Sequence, residues 1–157
     1  MHDTSRALVV EPGEAARASL ADGGFELLAD GGAVSASRLT LATGADGAPP
    51  HHHKLSYELF YVLGGQMLFR LGDALRRVGK GGLVVVPPGL RHVFGAVEGE
   101  AADVVVVLSP GIERFGYFER LAAISRGEAE FASLLPDQHR YDVYFEDLSD
   151  WRSAPAR

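Results

Sequence analysis

Three histidines and one glutamate in the middle of the chain are the residues best suited to chemistry. His51 and His53 stand two positions apart, Glu58 follows five residues later, and His92 comes after a Pro-Pro-Gly-Leu-Arg segment. In a β-strand, residues i and i+2 lie on one face about 6.6 Å apart, so the first two histidines can approach one ion from the same wall. Imidazole and carboxylate groups bind divalent transition metals. The spacing therefore predicts a metal site formed by His51, His53, Glu58 and His92.

The alternation of side chains along a strand constrains this site further. Glu58 has the opposite parity from the two histidines, so an irregular turn within residues 54–57 must reset the alternation and turn the carboxylate inward. Phe60 and Val62 then face inward as well. A one-residue slip would exchange the inner and outer faces, which makes His52 the main rival ligand; otherwise it is solvated.

The ligand set indicates which metals the site suits. Three neutral imidazoles and one carboxylate suit Fe, Mn, Ni, Co, Cu or Zn, whereas Mg and Ca prefer mostly oxygen ligands. The chain has no cysteine, so thiolate ligands and disulfides are excluded. Four ligands leave two octahedral positions, one for water or dioxygen and one for a substrate oxygen, which is the arrangement of a Lewis-acid or redox centre.

Glycine and proline indicate the elements that must position these side chains. The 19 glycines and 8 prolines recur every eight to twelve residues between short apolar runs. This spacing is typical of sandwiches and barrels, so the middle of the chain is predicted to be all-β. The predicted strands are 6–10, 25–29, 34–43, 58–63, 66–71, 74–78, 83–86, 92–96 and 104–108.

A helical pattern follows Ser109, which can cap a helix whose first residue is a proline. Apolar residues then recur with helical spacing until Gly127, which predicts a helix packed on the barrel. A second short helix is predicted around residues 131–135. A third begins after Asp137 unless residues 141–145 are extended, and the pattern leaves both alternatives open.

Size and composition limit the functional classes. The 157 residues suit one domain, and the 46% hydrophobic and 23% charged residues are typical of a globular chain. The apolar runs are too short to span a membrane, and the net charge of −6 without basic runs indicates no nucleic-acid partner. We therefore expect a small-molecule substrate and, because the N-terminus has no export signal, a cytoplasmic location.

Two motifs around the four ligands resemble those of the cupin superfamily. The first motif is His-x-His, three or four residues, Glu, six residues and Gly; the second is Gly, five residues, Pro-x-Gly, two residues and His. The matching residues are His51, His53, Glu58 and Gly65 for the first motif, and Gly81, Pro87, Gly89 and His92 for the second. The first motif's leading Gly falls on Ala45 and the second motif's closing Asn on Ala96, neither of which is a ligand position.

The resemblance implies a fold and an assembly. Segments 58–65 and 110–115 look most like small bacterial cupins grouped with quercetin 2,3-dioxygenase, and the likeness runs from about residue 34 to 118. It implies a double-stranded β-helix, or jelly-roll barrel, over about 5–109, with a helical segment over about 110–157 in a single domain. The apolar strands and the resemblance together predict a homodimer.

The resemblance also implies an activity. In a metal-dependent oxygenase, a substrate enol, phenol or diketone oxygen and dioxygen would use the two free positions, with Glu58 as the catalytic group that moves the proton. The same ligands fit an isomerase, cyclase or hydrolase that uses no oxygen. A non-catalytic binding barrel is the third alternative, although it could function without these ligands.

Six further side chains are candidates for the pocket. Four of them lie two or four positions after Glu58 or His92 on the same strand, so they face inward by strand parity. The other two lie in the 66–71 strand and either line the cavity or pack in the core. The candidates are Phe60, Val62, Met67, Phe69, Phe94 and Ala96.

Overall fold

A computed structural model describes residues 5–153 of the chain. Its strands pair antiparallel throughout, in the order β1-β2-β3-β9-β5-β8-β4-β10, with β6 and β7 also paired to β5. The elements are β1 (Ala16–Leu20), β2 (Gly23–Ala29), β3 (Ser35–Leu41), β4 (His51–His52), β5 (Tyr57–Leu71), β6 (Ala74–Gly79), β7 (Leu83–Val86), β8 (His92–Ala96), β9 (Ala102–Ser109), α1 (Phe115–Ser125), a 3-10 helix (Phe131–Asp137), α2 (Gln138–Tyr141) and β10 (Tyr144–Phe145). The prediction of an all-β barrel with C-terminal helices is confirmed.

The long strand β5 connects the two halves of the barrel. Its first half pairs with β9 and β7, and its second half pairs with β8 and β6. The prediction of two strands with a turn at Gly64 and Gly65 is wrong, because the chain continues through a bulge between Val62 and Gly64. Gly65 has φ +68, and a Cβ there would lie 1.9 Å from the carbonyl oxygen of Ala101, so glycine is required. Turns and bulges both use glycines with positive φ, so the glycine pair alone does not distinguish a turn from a bulge.

The N-terminal prediction was also wrong. Residues 6–10 are not a strand, and Leu8 and Val9 are exposed. The first strand is β1, which forms a hairpin with β2 in a register that places Ala16 opposite Leu27. Alanine has a low β propensity, so the sequence of β1 does not by itself indicate a strand. Pairing with β2 decides its conformation.

The first C-terminal helix begins later than predicted. Ser109 is the last residue of β9 and caps no helix, while α1 starts at Phe115. The carboxylate of Asp30, from the loop after β2, accepts hydrogen bonds from the backbone N–H groups of Arg114 and Phe115. The cap is therefore supplied by a residue distant in sequence, and α1 packs against β1 and β2. No helix within residues 5–153 is long and apolar enough to cross a membrane.

The segment after α1 returns to the barrel. The 3-10 helix confirms the predicted second helix, and the alternatives left open for the next residues are both realised, since α2 is helical and β10 is extended. β10 pairs with β4, so that Tyr144 lies opposite His52 and Phe145 opposite His51. The C-terminal segment is thereby attached to the strand that begins with the first predicted ligand.

Candidate metal centre

The four predicted ligands meet at one point inside the barrel. His51 on β4 lies opposite His92 on β8, and Glu58 lies near the start of β5. Glu58 Oε2 is 2.8 Å from His53 Nε2, 2.7 Å from His92 Nε2 and 3.8 Å from His51 Nε2. All four residues are buried, and their ligand atoms lie within 4.8 Å of one another. The group could therefore hold a metal ion.

The remaining ring nitrogens show that the imidazoles are oriented for coordination. The Nδ1 atoms of His51, His53 and His92 lie 2.6, 2.6 and 2.8 Å from the carbonyl oxygens of Pro49, Asp142 and Leu90 respectively. A carbonyl oxygen only accepts, so each Nδ1 donates to it, and each Nε2 faces the centre as the ring atom available to a metal. Metal-binding histidines characteristically have such partners. The donor set thus fits a transition metal.

Burial and mutual contact shift the ionisation of these groups. Burial, and then the nearby charge of His92, lower the pKa of His51 to about 4. Burial alone would raise the pKa of Glu58, but the charge of His53 and the hydrogen bonds from the three histidines lower it well below its usual range. Burial opposes protonation of His92, yet its hydrogen bond to Glu58 raises its pKa above the ordinary value. Below that raised pKa, a metal ion has to displace a proton from His92.

This displacement predicts a pH dependence of metal binding. The pKa of His92 is raised above 6.5, so its ring is protonated below that pKa and is free for the metal above it. We expect the apparent affinity to fall about tenfold per pH unit once the pH drops below this pKa. Titration of chelator-treated protein with Co²⁺ against a competing chelator, from about pH 5.5 to 8, measures this slope, with circular dichroism confirming the fold at each pH. A flat profile would contradict the ligand assignment of His92.

The turn that orients Glu58 is held by a residue that the sequence did not reveal. The carboxylate of Asp142 accepts hydrogen bonds from the backbone N–H groups of Lys54, Leu55 and Ser56, at 2.8, 3.0 and 3.1 Å. This is the predicted irregular turn that resets strand parity between His53 and Glu58. Asp142 has φ 51 and is buried. Its position between Tyr141 and Val143, as an acidic residue in an apolar stretch, was the only signal in the sequence.

The rival ligand His52 points away from the centre. Its Nδ1 lies 2.7 Å from Glu146 Oε1, and its ring stacks on Tyr144 at a centroid distance of 5.3 Å. Its side chain is 22% exposed, so it is partly solvated and partly packed on β10.

A small cavity adjoins three of the four ligands. The volume that the centre of a water molecule can occupy in this cavity is about 20 Å³, which corresponds to about one water. Its walls are mainly apolar and come from the barrel and from the C-terminal segment. The lining residues are Phe25, Ser37, Leu39, Ala48, His51, His53, Glu58, Phe94, Val106, Leu108, Arg114, Tyr117, Phe118 and Val143.

The structure separates the six pocket candidates. Phe94 lines this cavity, whereas the other five do not and belong to the hydrophobic core. Each residue along a strand advances about 3.3 Å, so positions beyond Glu58 on β5 lie progressively farther from the ligands. The five core residues are Phe60, Val62, Met67, Phe69 and Ala96. The walls that the sequence did not identify come from α1 and from strands far away in the chain.

Comparison with protein families identifies the barrel. The family model described as "Cupin domain" matches residues 37–108, a range that contains all four ligands. These residues are therefore similar to a cupin domain. No curated protein matches the sequence of this chain at a significant level.

Several solved structures share this cupin fold. An RmlC-like cupin from Shewanella frigidimarina has a TM-score of 0.62 at 17% identity, over 70% of this chain and 96% of that one. KdgF from Halomonas sp. has a TM-score of 0.51 at 24% identity, over 69% and 92%. The polyketide cyclase RemF from Streptomyces resistomycificus has a TM-score of 0.55 at 21% identity, over 67% and 80%. At these identities the likeness shows the fold alone.

Proposed function

We propose that this cupin is a metal-dependent oxygenase that acts on a small, largely apolar molecule. The observation that supports this most directly is the small, mainly apolar cavity that His51, His53 and Glu58 help to line. Dioxygen is apolar, and a small apolar cavity limits the water that reaches a reactive intermediate.

The residues of the chain have distinct roles in this proposal. His51, His53, Glu58 and His92 hold the ion, which we propose to be Fe, Mn, Ni, Co, Cu or Zn. When bound, the metal supplies Lewis acidity and, if it is redox active, electrons for reaction with dioxygen. Glu58 lines the cavity and is ionised because its pKa is lowered, and we assign to it the proton of an enol or phenol.

A second candidate uses the same ion without oxygen. The solved structures that share the fold include RemF, named as a polyketide cyclase, and Pac13, named as a nucleoside dehydratase, which has a TM-score of 0.56 at 19% identity over 71% of this chain and 87% of that one. By this analogy the metal would polarise a carbonyl for cyclisation, isomerisation or elimination, and Glu58 would still move the proton.

Oxygen consumption separates the two candidates. We expect protein loaded with Fe²⁺ or Mn²⁺ to consume one dioxygen per molecule of an enolisable diketone or phenol turned over, and turnover to stop without air. The measurement combines an oxygen electrode with product analysis, and Glu58→Gln, expected to lose about 10²-fold or more in rate, is the matched variant. Turnover that continues unchanged under nitrogen would contradict the oxygenase and favour the second candidate.

We also propose that the protein is cytoplasmic, of bacterial type and a homodimer, as the sequence and the resemblance predict. Gel filtration with light scattering tests the homodimer.

A further inference from the structure

Two buried polar atoms beside the metal centre have no hydrogen-bond partner in the protein. They are Arg114 Nη1 and Tyr117 Oη, the only such side-chain atoms within residues 5–153. Both residues line the cavity that His51, His53 and Glu58 also line. Folded proteins pair nearly all buried polar groups, so two unpaired donors in one cavity point to a ligand that binds there.

The guanidinium of Arg114 is held in place by its other atoms. Nε donates to the carbonyl oxygen of Tyr141 at 2.8 Å, and Nη2 lies 3.3 Å from Ser56 Oγ and 3.6 Å from Asp142 Oδ2. The side chain is 1% exposed. These contacts leave Nη1 as a fixed donor, and a preorganised donor away from water binds an anion more strongly than a surface arginine does.

The balance of charge favours a single negative charge on the ligand. A divalent ion and the Glu58 carboxylate sum to one positive charge, while Arg114 and Asp142 offset each other at 3.6 Å. Burial, and then the charge of Glu58, raise the pKa of the Tyr117 phenol above its usual value, so it stays a donor. A monoanion therefore neutralises the occupied centre, whereas a neutral ligand leaves a buried charge uncompensated.

We propose that Arg114 Nη1 and Tyr117 Oη bind the anionic oxygen of a small organic monoanion, such as a carboxylate, beside the metal. This inference rests on the proposed function and specifies its substrate class. Arg114 and Tyr117 lie at the start of α1, so the helix that covers the barrel also carries the determinants of specificity.

The size of the cavity limits what lies inside. The cavity has room for about one water, so the anionic oxygen fits there and the rest of the ligand does not. An apolar groove of about 220 Å³ between α1 and residues 46–49 shares Phe25 with the cavity. The Phe25 ring contacts Phe118, which also lines the cavity, at a centroid distance of 4.7 Å.

Cobalt-loaded protein provides the test. Acetate and benzoate are titrated against acetamide and benzamide, their neutral counterparts, and binding is followed through the visible Co²⁺ spectrum. We expect the carboxylates to bind at least about tenfold more tightly than the amides. Tyr117→Phe should weaken carboxylate binding about tenfold and Arg114→Gln should remove the preference, since each loses a hydrogen bond to a charged group.

Two controls separate binding from folding. Tyr117 Oη has no protein partner, so Tyr117→Phe should melt no lower than the wild type and bind one equivalent of cobalt. Arg120→Gln changes an exposed arginine on the same helix and should leave carboxylate affinity unchanged. If Arg114→Gln does not fold, Tyr117→Phe alone decides the question.

The outcomes distinguish this inference from the proposed function. If cobalt binds normally but carboxylate affinity does not change in either variant, the anion binds the metal alone and the inference is wrong. Equal affinity for amides and carboxylates, or no binding of any of the four probes, also overturns it. Failure to bind cobalt would overturn the metal centre and this inference together.

Discussion

His92→Ala is expected to lower metal affinity by about 100-fold or more while the barrel stays folded. His92 Nε2 lies 2.7 Å from Glu58 Oε2, and the residue is fully buried on β8 opposite His51. Changes in the partners of metal ligands already reduce affinity about 10- to 100-fold, so loss of a ligand should exceed that range. Metal content after dialysis, measured by elemental analysis, and a competition titration provide the readout.

His52→Ala is the matched control for this prediction. It removes the same side chain from the opposite face of the chain and breaks the contacts with Glu146 and Tyr144. We expect it to cost about 1 kcal/mol of stability or less and to leave metal stoichiometry unchanged. If the two variants lost metal equally, or if His92→Ala retained a full equivalent at wild-type affinity, the coordination sphere would have to be reassigned.

Asp142→Ala is expected to lower both stability and metal affinity. Three backbone N–H groups in the turn at 54–56 would lose their acceptor, Arg114 would lose its nearest carboxylate, and alanine would have to adopt φ 51. Unpaired buried donors and an uncompensated buried charge together suggest a loss of about 3 to 5 kcal/mol in the free energy of unfolding. Urea denaturation measures this loss.

The effect on the metal separates positioning from simple destabilisation. The carbonyl of Asp142 orients His53, and its carboxylate holds the turn that points Glu58 inward. At temperatures where the variant is folded, we expect affinity for Co²⁺ to fall about 10- to 100-fold. Asp142→Asn tolerates the same backbone conformation and keeps one acceptor, so it should be intermediate in both measurements.

Asp147→Ala is the control for Asp142→Ala, because Asp147 is an exposed aspartate a few residues farther along the chain. It should match the wild type in melting temperature and in metal affinity. If Asp142→Ala unfolded in the same urea concentration as Asp147→Ala, the hydrogen bonds from 54–56 would not hold the turn.

The contacts of Asp142 make the C-terminal segment part of the candidate metal centre. Besides the Asp142 contacts, β10 pairs with β4, and the N–H of Glu146 donates to the carbonyl oxygen of Pro50 at 2.9 Å. The strand bearing His51 is thus paired to β8 on one side and to β10 on the other. Removal of β10 would leave β4, which leads from His51 to His53, without a paired strand on one side.

The four residues that meet at this site were predictable from the sequence. His51 and His53 share a face through strand alternation, and the parity of Glu58 demanded the turn that the structure contains at 54–56. The alternation of short apolar runs with glycine and proline determined the all-β class. Strand parity and turn spacing depend on neighbours within a few positions of one another, whereas His92, 34 positions from Glu58, was predicted from its motif.

The surroundings of those four residues depend on contacts between segments that are far apart in the sequence. Asp142 reaches its partners across 86 to 88 positions, and Asp30 caps α1 across 84 and 85. The cavity walls come from β2, β3, β8, β9 and the C-terminal segment. Local periodicity indicates on which face of a strand or helix a side chain lies, but not which distant segment packs against that face. That choice depends on packing and hydrogen bonding between elements, which act only after the chain has folded.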